Sequence, residues 1–264
     1  MSKKFEGKTA FITGGGSGLG EKIAKDFAQN GANVVIFDIS VENGKQVESE
    51  IQNDGGEALF TEGNVKDSNS VKECVAKAFE KYGTIDFLIN SAGILRDGLI
   101  HKLPEDKWDL VIDINLKGSF LCLQECTKRW IEDAKNNRKV HIADYPDKRV
   151  INIASKAAEG NIGQVSYAAS KAGLIGLTKT AAMELIRYNI KTHAIMPTLI
   201  ETPILGELLE KEDGKWRKYY EGRIPLGIGK PRYVSDAIQF LCSHDSWFMN
   251  GVILPINGGR LGPL

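Results

Sequence analysis

The sequence predicts a single-domain, doubly wound, three-layer α/β fold built on a parallel sheet. Three observations carry that prediction. Short apolar runs alternate with amphipathic stretches, a glycine-rich turn joins the first run to the first helical pattern, and no linker or break in composition divides the 264 residues. Runs at 9–13, 33–38, 59–65, 85–90, 149–154, 191–196 and 251–255 read as strands. Helical periodicity fills 18–30, 41–53, 68–82, 104–130, 165–187 and 231–243. Strands separated by helices pair in parallel through right-handed crossovers, which puts helices on both faces of the sheet. Two segments fall outside the alternation. Residues 135–148 are polar and enter the fifth strand at the end away from the ligand-binding edge, so they read as peripheral or as an interface. Residues 199–230 leave the carboxyl end of the sixth strand and read as a substrate lid, so the expected organisation is one domain over 1–264 with that lid.

Charge excludes two classes of partner. The 34 Lys and Arg balance 34 Asp and Glu, which leaves neither a basic face for nucleic acid nor a polybasic membrane anchor. A hydrophobic content of 42% with 26% charged residues is that of a globular chain. No run approaches the ~20 apolar residues that span a bilayer. Residues 1–7 lack the apolar core of a signal peptide, and the expected location is the cytoplasm. Cys74, Cys122, Cys126 and Cys242 form no C-x-x-C pair and read as small hydrophobes in a reducing compartment. His101, His141, His193 and His244 are too scattered for a zinc motif, so no metal is expected.

The first chemical signal is Thr13-Gly14-Gly15-Gly16-Ser17-Gly18-Leu19-Gly20, between the first strand and the first helix. Glycines let a backbone approach a pyrophosphate, and the following helix N-terminus offers free N–H groups and a positive dipole. The loop departs from G-x-G-x-x-G, and a tight turn alone is the competing reading. Asp38 ends the second strand 20 residues after Gly18, the spacing at which a carboxylate reaches an adenosine ribose. A carboxylate there accepts from both ribose hydroxyls and repels a 2′-phosphate, so NAD is expected over NADP. The alternative is that Asp38 only caps the following helix.

Further along stand Asn64-Val65, Asn90-Ser91-Ala92-Gly93, Asn115, Ser155, Tyr167-x-x-x-Lys171 and Pro197-Thr198. With the glycine loop, these motifs in this order resemble the short-chain dehydrogenase/reductase family over nearly the whole chain. The resemblance implies a Rossmann-like domain, a nicotinamide cofactor, and a homotetramer or dimer, or a heteromer with a homologue. It assigns cofactor contacts to Gly14, Ser17, Gly18, Leu19, Gly20, Asp38, Asn64, Val65, Asn90, Ala92, Gly93, Pro197, Ile200 and Thr202, besides Tyr167 and Lys171. It gives Asn115 the task of holding a helix-interior water that links Lys171 to solvent.

Tyr167 and Lys171 make chemical sense on their own. Four residues apart in a helix, they share a face. A phenol is a poor acid or base at neutral pH, and a neighbouring ammonium favours its ionised form. Tyr167 can then exchange a proton with an alcohol or carbonyl oxygen, while Ser155 holds that oxygen in reach. A plain surface pair is the competing reading of Tyr-x-x-x-Lys. Four departures from the family pattern stand out: Asn64 in place of the usual Asp, Thr198 in place of glycine, a Ser155-to-Tyr167 spacing one residue short, and a longer Asn115-to-Ser155 stretch that contains the polar 135–148 insertion.

The stretches 90–97 and 166–174 resemble 3-oxoacyl-thioester reductases and (3R)-hydroxyacyl-CoA dehydrogenases within the family. The expected substrate is therefore a 3-hydroxyacyl-CoA/3-oxoacyl-CoA thioester. Other secondary alcohols (steroid, sugar or aryl) and a non-catalytic dinucleotide-binding subunit are the alternatives. Lys211, Lys215, Arg217, Lys218 and Arg223 either meet CoA phosphates or, balanced by Glu207, Glu210, Glu212, Asp213 and Glu221, form a solvated face. Trp216, Tyr219 and Tyr220 either line an acyl or aryl pocket or pack the lid. Residues 257–264 are expected to cross a subunit interface.

Overall fold

Alternation within the strands assigns each apolar side chain to one of two helix layers. The computed structural model describes residues 3–260, without the side chains of residues 203, 204, 207, 208 and 211–213. Its strands are β1 (Thr9–Thr13), β2 (Asn33–Asp38), β3 (Glu57–Glu62), β4 (Phe87–Asn90), β5 (Lys148–Ile153), β6 (Ile190–Pro197) and β7 (Ile253–Ile256). They pair in parallel in the order β3-β2-β1-β4-β5-β6-β7. The helices are α1 (Gly18–Gln29), α2 (Val41–Asn53), α3 (Ser68–Tyr82), α4 (Glu105–Ile112), α5 (Gly118–Asn136), α6 (Val165–Leu185), α7 (Pro203–Glu221) and α8 (Pro231–Leu241). Ala10, Ile12, Val34 and Ile36 face α1, α2 and α8, whereas Phe11, Val35, Phe37 and Leu88 face α3, α5 and α6. This is the three-layer fold that the sequence predicts. The strand order reverses between β1 and β4, and the crevice beyond their carboxyl ends is where ligands of open α/β sheets bind.

Local signals set several boundaries as read. α2 starts where the Ser40 hydroxyl accepts the Asn43 N–H, and α3 starts where Asp67 accepts the Asn69 N–H. α3 stops at Gly83, whose φ of 74° suits glycine.

Other boundaries differ from the sequence reading. The third strand ends at Glu62 rather than 65: the Gly63 N–H makes the last ladder bond, to the Asp38 carbonyl, and Asn64 then folds its amide oxygen onto the Lys66 N–H. The helix expected over 104–130 is α4, one π-helical turn (Asp113–Lys117) and α5. The segment 199–230 contains α7, a long helix with Pro203 in its first turn. Within 135–148, one short turn (Ile142–Asp144) interrupts an exposed stretch, and Asn189 ties it down by donating to the Tyr145 carbonyl at 2.7 Å. All four cysteines are buried free thiols. No described helix is long and apolar enough to cross a membrane.

Candidate active site

A cleft of about 1010 Å³ opens along the carboxyl ends of the strands. That is the upper end of the ~300–1,000 Å³ usual for small-molecule sites. One end is the glycine loop. Gly14 has a φ of 65°, and a Cβ there would stand 2.8 Å from the Ala92 Cα. A Cβ on Gly20 would stand 2.1 Å from the Gly14 carbonyl oxygen, so α1 can pack this tightly against the loop only with glycine. Ser17 precedes α1 in an extended conformation and makes no side-chain cap, so the first-turn N–H groups of α1 have no side-chain acceptor. A bare backbone cradle on a helix N-terminus fits the pyrophosphate of a dinucleotide.

Asp38 stands beside the loop. Its Oδ2 accepts the Gly16 N–H and its Oδ1 the Ser40 N–H, both at 2.9 Å. The helix-cap alternative therefore fails, since Ser40 caps α2. Each carboxylate oxygen retains a lone pair for a ribose hydroxyl.

The other end gathers Ser155, Tyr167 and Lys171. Ser155 follows β5 and caps a short turn (Lys156–Glu159), its Oγ accepting the Ala157 N–H at 3.1 Å. Tyr167 lies in the first turn of α6, and Lys171 one turn on. Burial pushes the Tyr167 phenol up; a hydrogen bond with Ser155 pulls it back, and the charge of Asp97 pushes it up again. Lys171 is pushed down to about 8 by burial. Its Nζ donates to the Ile153 carbonyl at 2.7 Å and lies 5.5 Å from the centre of the Tyr167 ring. Desolvation dominates both groups, and the ammonium is aimed at a carbonyl.

Of the residues singled out from sequence, Gly14, Ser17, Gly18, Leu19, Gly20, Asp38, Asn64, Val65, Ala92, Gly93, Ser155, Tyr167, Lys171, Pro197, Ile200 and Thr202 all line this cleft. Asn90 and Asn115 do not. Asn90 is buried and donates to the Asn152 Oδ1 at 2.8 Å, inside a chain that continues to Thr178. Asn115 sits in the π-helical turn. Its Oδ1 accepts the Ile94 N–H at 2.8 Å, and its Nδ2 donates to the Ile94 carbonyl at 3.0 Å and to the Ser170 hydroxyl at 3.1 Å. It clamps the loop after β4 over α6, and a Cβ on Gly93 would lie 3.4 Å from its Oδ1 and 3.5 Å from the Lys171 Nζ.

Sequence reasoning missed three polar residues near Tyr167. The loop after β4 meets the loop before α6 through a backbone bridge between Gly98 and Gln164, with the Gly98 N–H donating to the Gly163 carbonyl at 2.7 Å. Next to it Gln164 and Asp97 line the cleft, and Asn161 donates to the Gln164 Oε1 at 2.9 Å. Burial raises Asp97 above the usual carboxylate range, partly offset by Gln164. All three line the cleft.

Within 199–230, Leu205 and Tyr220 of α7 line the cleft, with Trp216, Tyr219 and Tyr220 in mutual ring contact. Arg217 is bound to Glu201, Glu210 and Glu221, which favours the charge-balanced reading of that face. The side chains of Glu207, Lys211, Glu212 and Asp213, and residues 261–264 of the tail, lie outside the described residues.

A family model described as short chain dehydrogenase matches residues 8–213. The chain is 41% identical over 258 residues to a 3-oxoacyl-[acyl-carrier-protein] reductase of Thermotoga maritima, covering 97% of this chain and 98% of the relative. It is 36% identical over 256 residues to a (2S)-[(R)-hydroxy(phenyl)methyl]succinyl-CoA dehydrogenase subunit of Thauera aromatica, covering 97% of each. The crystal structure of a 3-ketoacyl-(acyl-carrier-protein) reductase from Brucella melitensis complexed with NADH matches at a TM-score of 0.85 and 31% identity, over 97% of this chain and 99% of that one.

Proposed function

Because the chain belongs to the short-chain dehydrogenase family, and is thus an oxidoreductase of a nicotinamide dinucleotide, we propose that it interconverts 3-hydroxyacyl and 3-oxoacyl thioesters of coenzyme A with NAD. The observation that carries this reading is the Ser155–Tyr167–Lys171 group at one end of a cleft whose other end holds Asp38 beside the glycine loop. When bound, the dinucleotide supplies or accepts the hydride. In reduction, the Tyr167 Oη gives its proton to the carbonyl oxygen, and oxidation returns it. Ser155 holds that oxygen by a hydrogen bond, so no rotation is needed at the moment of transfer. Lys171 fixes the base of the site through Ile153 and supplies positive charge below the ring. Asn115 holds the Ile94 loop and, through Ser170, the same face of α6.

NAD is favoured because Asp38 meets a 2′-phosphate with negative charge. The CoA dehydrogenase subunit of Thauera aromatica supports CoA as the carrier. The reductase of Thermotoga maritima, at higher identity, supports an acyl carrier protein as the second reading. The family resemblance favours an oligomer, either of this chain or with a homologue.

The test is kcat/KM with NADH and with NADPH on acetoacetyl-CoA, an acetoacetyl carrier protein and a panel of free cyclic ketones. Preference for NADH with the CoA thioester is the expected result. Faster turnover of the cyclic ketones would replace the thioester reading with one of the other secondary alcohols. NADH binding without turnover on any of them would leave a dinucleotide-binding subunit.

A further inference from the structure

Among the described residues, the substrate end of the cleft carries one carboxylate, Asp97, that forms no ion pair. Asp97 lines the cleft together with Gln164 and Asn161, and Asn161 occupies the Gln164 Oε1, which leaves the Gln164 amide N–H groups free to face the carboxylate. The Gly98–Gln164 bridge locks the two backbones side by side. The cations nearby are committed elsewhere. Lys156 lines the cleft but is bound to Glu159, and the Lys171 Nζ points at the Ile153 carbonyl. Arg96 folds its Nη1 onto the Leu95 carbonyl at 2.8 Å on the exposed side. Gln164 immediately precedes α6, whose first turn carries Tyr167, and Asp97 and Tyr167 line the same cleft, so a substrate whose carbonyl meets the phenol passes the Asp97 carboxylate.

We propose that Asp97, steered by Gln164 and Asn161, is a specificity-determining residue that rejects 3-oxo acids with a free carboxylate and admits their neutral acyl derivatives. A 3-oxo acid carries its carboxylate two carbons from the reacting carbonyl and so brings like charge into this corner. An ester or thioester brings none, and an amide N–H on a thioester arm gains an acceptor. Two unit charges a few ångströms apart at a partly screened site repel enough to change a rate constant at least tenfold. The inference deepens the thioester reading of function and rests on it for the identity of the natural substrate.

The test compares acetoacetate, ethyl acetoacetate and acetoacetyl N-acetylcysteamine with NADH, for wild type and Asp97→Asn. Asp97→Ser replaces the latter if it fails to fold, and NADH affinity and Tm are measured on each. The acid-to-ester ratio of kcat/KM is expected to rise at least tenfold in the variant, through KM for the acid. A ratio that does not move, or acetoacetate inert with both proteins while the ester reacts, overturns the proposal. Wild type that reduces the ester but not the thioester, with the ratio still rising, would instead sink the thioester reading and leave the role of Asp97 standing.

Discussion

Asp38 braces Gly16: the Oδ2 of the one accepts the N–H of the other at 2.9 Å, across the mouth of the glycine loop. The carboxylate is therefore fixed before any ribose reaches it, and the loop depends on the residue that selects the cofactor. A Cβ on Gly16 would stand 2.9 Å from that same oxygen, so the contact also requires glycine.

The first prediction follows from this pair. Asp38→Ala combined with Ile39→Arg is expected to weaken NADH binding by ~10-fold or more, since a charge-assisted acceptor contributes about 1.5–3 kcal/mol. The kcat/KM ratio of NADH to NADPH should fall further, because the repulsion is removed and a cation added. Titration of cofactor fluorescence and steady-state rates measure both. An unchanged ratio would refute the assignment of Asp38.

Tyr167→Phe keeps the ring over Lys171 and deletes only the Oη. Loss of a positioned proton donor is worth roughly 10²–10⁴ in rate. We expect kcat to drop by that factor on the true substrate, with NADH affinity and Tm within error of wild type. A variant with full activity would end the proposed chemistry.

Asn115→Ala strips three hydrogen bonds and leaves the Ile94 N–H and carbonyl without their side-chain partner. Leaving a buried polar group unpaired costs ~1–3 kcal/mol. The expected result is a lower Tm together with a kcat loss larger than the change in KM, because the loop that carries Gly93 is released above Lys171. Asn115→Asp, which retains the acceptor for the Ile94 N–H, should recover part of both.

How far this site was legible from sequence depends on the range of each signal. Ser40, Asp67 and Gly83 act within one turn, and α2 and α3 came out with the bounds read from sequence. The π-helical turn did not, because it comes with a bond from Asn115 to Ile94, 21 residues away, that periodicity cannot register. The same holds for the Gly98–Gln164 bridge, which joins two loops by backbone alone. Spacing put Lys171 next to Tyr167 correctly; only the fold shows that its ammonium faces Ile153. α7 was hidden by its own charges, since a helix whose polar face is wide looks like a loop when only apolar period is read.

Lys171 also gives a pH prediction for stability. Its folded value of about 8 lies below the ordinary 10.5, so between those values the unfolded chain holds a proton that the folded chain lacks. Unfolding free energy then rises with pH through that window, and the penalty for burying the ammonium is full below it. In Lys171→Met the effect disappears. The wild-type minus variant difference in unfolding free energy should therefore increase from pH 7.5 to 10, by on the order of 3 kcal/mol at most. Denaturant titrations across that range measure it, and a difference independent of pH would show that Lys171 is not desolvated as described.

The last prediction concerns the opposite edge of the sheet. Arg149 is fully buried, and its Nη2 meets Asp147 at 2.8 Å; Lys191, also buried, meets the other oxygen of Asp147 at 3.0 Å and lies 3.7 Å from the centre of the Trp247 ring. One carboxylate thus balances two buried cations that start β5 and β6. His193 beside them is pushed down to about 4, by burial first and by those two charges next, so it is neutral at pH 7 and adds no third. Removing one partner of a buried ion pair costs ~3–5 kcal/mol because the remaining charge stays desolvated. Asp147→Asn should lower unfolding stability toward the bottom of that range, with some hydrogen bonding retained, and Asp147→Ala by more. Both should leave kcat/KM and NADH affinity within about twofold, since the cluster sits at the amino ends of the strands and the cleft at their carboxyl ends. Chemical denaturation set beside steady-state kinetics decides the matter: a loss of activity at unchanged stability would mean that this edge communicates with the site.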